Sequence, residues 1–100
     1  MSDDLTTILQ RLRALKPELA LRFGVSEIHV FGSRARGEEA PDSDLDLLVD
    51  FAPGTGPTLF SLAKLDRVLE SALGIRVDVV ARANLNPRLE PYIRKDMVAA

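Results

Sequence analysis

The sequence predicts a small α/β layer domain with the element order α-β-α-β-α-β-α. Three observations carry that expectation. Leucines recur at helical spacing in three separate stretches. Two segments, "DLDLLVDF" and "IRVDVVA", alternate apolar residues with polar ones. Glycine and proline punctuate the boundaries between these patterns.

The elements follow in order. Leu5, Ile8, Leu9, Leu12 and Leu15 form one apolar helix stripe, with Ser2 to Asp4 as caps. Pro17 restarts a short helical segment, which Gly24 ends. "EIHVFG" reads as a strand closed by Gly32, and "SRARGEE" as a brief helix beginning at Ser33. "APDS" is a turn, "DLDLLVDF" the second strand and "APGTGP" a loop. Leu62, Leu65, Leu69 and Leu73 mark the next helix, which Gly74 terminates, and "IRVDVVA" is the third strand. Leu85, Leu89, Ile93 and Met97 give the last helix, with Pro87 and Pro91 near its start.

Composition narrows the function. A chain of 100 residues with 46% apolar content is expected to make one domain, spanning residues 1–100, with a core of Leu, Val, Ile and Ala. Without cysteine there is no disulfide, no thiolate metal site and no thiol nucleophile. The opening "MSDDLTT" lacks the basic and apolar regions of a signal peptide, and no apolar run is long enough to cross a bilayer, so a cytoplasmic location is expected. A net charge of -2 argues against broad binding along a nucleic-acid backbone.

The chemistry concentrates on two strands with one binary code. In the second strand Leu45, Leu47, Val49 and Phe51 form an apolar face, and Asp44, Asp46, Leu48 and Asp50 the opposite one. The third strand repeats this, with Ile75, Val77, Val79 and Ala81 against Arg76, Asp78 and Val80. If both apolar faces lie under the same helices, Asp44, Asp46 and Asp78 point out together from an open face. Strands about 4.8 Å apart, with alternate residues about 6.6 Å apart, let three carboxylates converge on one or two small cations. Such neighbours raise one another's pKa unless a cation intervenes. Oxygen ligands without histidine or cysteine favour Mg²⁺, with Mn²⁺ as the alternative. Two such ions suit bridging nucleotide phosphates and activating an attacking hydroxyl. At the other end of the stretch, Gly32 and the helix expected from Ser33 offer backbone N–H groups to phosphate, with Arg34 and Arg36 as charge clamps.

These residues resemble a family. Gly32-Ser33, ten intervening residues and then Asp44-Leu45-Asp46 are similar to the G-S-x10-D-x-D signature of the DNA polymerase β-like nucleotidyltransferase superfamily. "GSRARGEEAPDSDLDLLVDF" is close to the form found in its minimal members, the MNT proteins encoded beside HEPN-domain ribonuclease toxins, and "VDVV" supplies the third carboxylate as Asp78. The resemblance implies a small mixed β-sheet flanked by helices. It implies that Gly32 and Ser33 bind the phosphates of ATP, with Arg34 and Arg36 as less diagnostic helpers. Asp44, Asp46 and Asp78 would then be the catalytic metal ligands, with Asp78 also a base. The implied reaction moves AMP from ATP to a hydroxyl, a tyrosine in toxin-paired members, with two Mg²⁺ ions and a HEPN toxin as partner in a hetero-oligomer. Two other readings stay open: an antitoxin that acts by covering its partner, and an enzyme acting on a small molecule or an RNA end.

The remaining polar residues receive plainer readings. Asp42 is a solvated turn acid, and Asp50 lies beyond the metals. His29 is a packed histidine, and Tyr92 a helix-surface aromatic. Arg94 and Lys95 form a solvated face near a helix C-terminus.

Overall fold

The structure is a computed structural model that describes residues 4–38 and 44–100. The first helix, α1 (Leu5–Phe23), starts at Asp4, whose carboxylate accepts the Thr7 N–H at 2.8 Å. It runs unbroken through Pro17, where the sequence predicts a restart. Proline removes one helical hydrogen bond and costs about 3 kcal/mol in a helix interior. Burial outweighs that here, because Leu19, beyond the proline, is fully buried in the same core as Ile8 and Leu12.

Strands β1 (Val25–Phe31) and β2 (Leu45–Phe51) pair antiparallel. Helix α2 (Leu59–Leu73) then carries the chain across to β3 (Val77–Ala81), which lies parallel to β2. Thr58 and Ser61 close the start of α2 as a reciprocal capping box, and Leu65, Leu69 and Leu73 bury its inner face as their spacing predicts. A short 3₁₀ turn (Arg82–Asn84) leads towards α3 (Glu90–Asp96). The last helix is therefore shorter than the expected Leu85–Met97. Asn86 and Pro87 form a turn instead, in which the Leu89 N–H bonds the Asn86 carbonyl.

After α3 the chain extends into β4 (Val98–Ala99), a strand absent from the sequence expectation. It pairs antiparallel with β1 at Val30 and His29, and the Ala100 N–H continues the ladder to Ile28. This covers the β1 edge that β2 leaves open. The mixed sheet has the order β3-β2-β1-β4.

The core lies between the apolar sheet face and the pair α1 and α2. Ile28, Val30, Leu45, Leu47, Val49 and Val77 meet Ile8, Leu12, Leu65 and Leu69 there. The opposite face is less open than expected. Leu48, between His29 and Val80 in one cross-strand row, is fully buried. Arg82 joins Asp50 on that face to Glu90 on α3, which closes its lower half. No helix among the described residues is long and apolar enough to cross a membrane.

Candidate active site

The pairing of three strands sets one row of side chains across the upper half of the sheet. Phe31 is opposite Asp46 in the antiparallel pair, and Asp46 is beside Asp78 in the parallel pair. Cross-strand partners project to the same side, so Asp46 and Asp78 are adjacent by register. Asp44 sits just before β2 on the same side, where the Leu45 N–H binds the Arg76 carbonyl and anchors the entry. Its carboxylate faces Arg76 Nε at 3.3 Å in an exposed ion pair. The fold thus brings the three predicted acids to one edge, and Asp44 is turned towards Arg76. Among the described residues no group of three or more acids or histidines is gathered closely enough to hold a metal ion.

Asp46 bears the strain of this placement. Its carboxyl is held above the ordinary value, first by burial, then by the fields of Asp78 and Asp44, against a smaller lowering from Arg36. The adjoining turn is shaped around it. Gly32 has φ 79°, and a Cβ placed there would overlap Asp46 Oδ2. Glycine therefore serves twice, for its backbone angle and for the space the carboxylate occupies.

The turn itself differs from expectation. Residues 33–37 form hydrogen-bonded turns, not a helix. The Ala35 and Arg36 N–H groups return to the Gly32 carbonyl, and the Glu38 N–H reaches back to Ser33 at 2.9 Å. Gly37, at φ 73°, reverses the chain after this single coil, so no helical ladder develops. Any phosphate held here would meet a compact turn led by Ser33. Arg34 is buried and does not extend as a solvent-facing clamp. Arg36 is exposed and shared between Glu38 at 2.9 Å and Asp96 at 3.3 Å, and both raise its pKa.

One acid at this edge has no counterpart among the sequence candidates. Asp66 on α2 is held above the ordinary carboxylate value, first by burial and then by Glu70, Asp78 and Asp44. Its Oδ1 is buried and without a hydrogen-bond partner among the described residues. Four residues on, Glu70 accepts the Val77 N–H at 3.0 Å and fixes the start of β3 below Asp78. The available signal was an Asp and a Glu at i and i+4, each directly following a buried Leu of α2.

The other readings sort cleanly. Asp50 lies on the acid face but is bound by Arg82 at 2.5 Å. His29 is packed, with Nδ1 4.0 Å from Asp50 and no hydrogen bond to it among the described residues. Tyr92 is exposed on α3 and Arg94 pairs with Glu90. Asp42 falls outside the described residues.

The donor chemistry suits divalent cations, although the three carboxylates are not drawn together on one point in this structure. Asp46 and Asp78 supply only oxygen, Asp44 needs a side-chain rotation away from an exposed arginine, and a bound cation would offset both the burial that chiefly raises Asp46 and the added fields of Asp78 and Asp44.

Known proteins resemble this chain over most of its length. The nucleotidyltransferase domain family matches residues 12–100. The protein adenylyltransferase MntA of Thermococcus cleftensis is 45% identical over 87 residues, covering 87% of this chain and 86% of its own. A solved structure of a candidate minimal nucleotidyltransferase superposes with TM-score 0.76 at 44% identity, over 95% of this chain and 94% of that one. A Shewanella oneidensis complex of an MNT antitoxin with its tri-AMPylated HEPN toxin shares the fold, with TM-score 0.65 and 20% identity over 91% and 68% of the two chains. With the family model matched over residues 12–100 and a relative 45% identical over most of both chains, this chain belongs to the nucleotidyltransferase domain family.

Proposed function

We propose that this enzyme moves AMP from ATP to a tyrosine hydroxyl of a HEPN-type toxin, and so acts as an antitoxin in a complex with that partner. The observation that carries the reading is the register of Asp46 beside Asp78, with Gly32 giving up its side-chain space to the Asp46 carboxylate. The adenylyltransferase name of the Thermococcus relative supports the reaction. The AMPylated toxin held by the Shewanella antitoxin supports the acceptor.

In the proposed step the acceptor oxygen attacks the α-phosphorus of ATP. The new O–P bond forms as the bond to the β-phosphate oxygen breaks, and pyrophosphate leaves with that electron pair. Asp78 takes the acceptor proton, and Ser33 with the neighbouring backbone N–H groups orients the phosphates. Asp44, Asp46 and Asp78 would hold Mg²⁺ or Mn²⁺, which when bound supplies neutralisation of phosphate charge and activation of the hydroxyl.

The test is co-expression with the partner toxin followed by intact-mass measurement. An AMP-sized increase on the toxin, lost with Asp46→Asn, is the expected result. A toxin silenced equally by wild type and by Asp46→Asn, with no change in mass, would show neutralisation by covering alone.

A further inference from the structure

A groove of about 460 Å³ runs between the Gly32 turn and α3, walled by Phe31, Gly32 and Arg36 on one side and by Tyr92, Lys95 and Asp96 on the other. It adjoins the acid row through Phe31, the cross-strand neighbour of Asp46. The Arg36–Asp96 ion pair, at 3.3 Å, ties the two walls together and fixes their spacing at that point. Tyr92, the chain's single tyrosine, lies along this groove with 73% of its surface exposed. Nothing in the core explains that exposure, and α3 buries no residue completely.

We infer that this groove seats the nucleobase of the triphosphate, with Tyr92 as the platform on which the base stacks. The inference rests on the proposed nucleotidyl transfer and adds the part of the site that reads the nucleotide. Phosphates held at the turn place the ribose and base within one sugar's reach of Gly32, and the groove begins at Gly32. An exposed phenol ring offers a flat face to any base, and a purine covers more of it than a pyrimidine does. Tyr92 is therefore a residue of nucleotide selectivity that the short signature motif does not include.

The test is calorimetry at fixed Mg²⁺ with two probes, the non-hydrolysable ATP analogue AMP-PNP and inorganic tripolyphosphate. Tyr92→Ala is expected to weaken AMP-PNP about tenfold and to leave tripolyphosphate unchanged, while Tyr92→Phe keeps wild-type affinity for both. Wild type is expected to prefer the adenosine analogue over its uridine counterpart, and Tyr92→Ala to flatten that preference. Unchanged AMP-PNP affinity in Tyr92→Ala overturns the inference, as does an equal loss for both probes. Wild type that binds tripolyphosphate as tightly as AMP-PNP overturns the base seat but leaves the phosphate turn standing. Wild type that binds neither probe overturns both the base seat and the proposed reaction.

Discussion

Asp46 and Asp50 lie on the same strand, on the same face, four residues apart, and the fold treats them in opposite ways. Asp50 is matched by Arg82 at 2.5 Å, which also holds Glu90 at 3.0 Å. Asp46 instead faces Asp78 across the parallel pair, has Asp44 two residues before it, and its carboxyl is pushed upward by burial and by both neighbours. One end of the acid face is neutralised by the protein's own cations and tied into α3. The other end is left electrostatically costly within one small sheet. A marginally stable domain retains such a cost where a ligand repays it, and on that ground we read Asp50 as a structural carboxylate and propose Asp46 as a functional one.

The comparison breaks first on activity. Asp46→Asn is expected to cut AMP transfer by about a thousandfold or more, the loss of several kcal/mol of charge stabilisation, while Asp50→Asn keeps transfer within about threefold of wild type. Timed intact-mass assays on the co-purified partner compare the two. Similar losses in both variants would erase the distinction.

Gly32→Ala is next in size. It places a Cβ on Asp46 Oδ2 and forces alanine to φ 79°. A stability loss of about 2 kcal/mol is expected, together with loss of transfer, since the turn and the carboxylate cannot both keep their positions. Chemical denaturation and the mass assay together read this. A fully active and fully stable variant would show that the contact between turn and acid is incidental.

Arg82→Ala probes the opposite end. Its pairs with Asp50 and Glu90 are partly buried, so removing it is expected to cost about 1–2 kcal/mol of stability. Transfer measured well below the melting temperature should be unaffected. A specific loss of transfer in a stable variant would place Arg82 in the reaction.

The smallest expected effect concerns pH in the metal-free protein. The Asp46 carboxyl has a higher pKa folded than its ordinary value, near 3.9 for an unfolded aspartate. Between those two values the folded state binds more protons than the unfolded state, so stability falls as pH rises through that window. Asp66, raised for the same leading reason, adds in the same direction. Urea titrations from pH 4 upward should show this decline, and Asp46→Asn should reduce its slope. A slope unchanged in Asp46→Asn would mean that the carboxylate is not strained.

The acid row was legible in the sequence because strand alternation depends only on local spacing. Leu45, Leu47 and Val49 are buried as a set, which leaves Asp44, Asp46 and Asp50 on the other side whatever else surrounds the sheet. The helix stripes of α1 and α2 were legible for the same reason. What escaped depends on distant partners. Two residues of β4 carry no pattern of their own and become a strand only by meeting β1. Leu48 is buried because the closing of that face puts it out of water, although its strand position marks it for an open surface. The helix expected at Ser33 ends as a turn because Gly37 reverses the chain after one coil. Asp66 looked like an ordinary helix acid, and only the packing of α2 beside β3 brings it near Asp78 and Asp44.

The central claim is that the acids at the upper edge, and not the acid at the lower end, exist to hold divalent ions with the nucleotide. Mn²⁺ binding followed by electron paramagnetic resonance in the presence of AMP-PNP tests it most directly, on wild type and on the Asp46→Asn, Asp78→Asn and Asp50→Asn variants. The account predicts nucleotide-dependent Mn²⁺ uptake that Asp46→Asn and Asp78→Asn abolish and Asp50→Asn preserves. Uptake that survives both upper-edge substitutions, or that fails equally in Asp50→Asn, would contradict it.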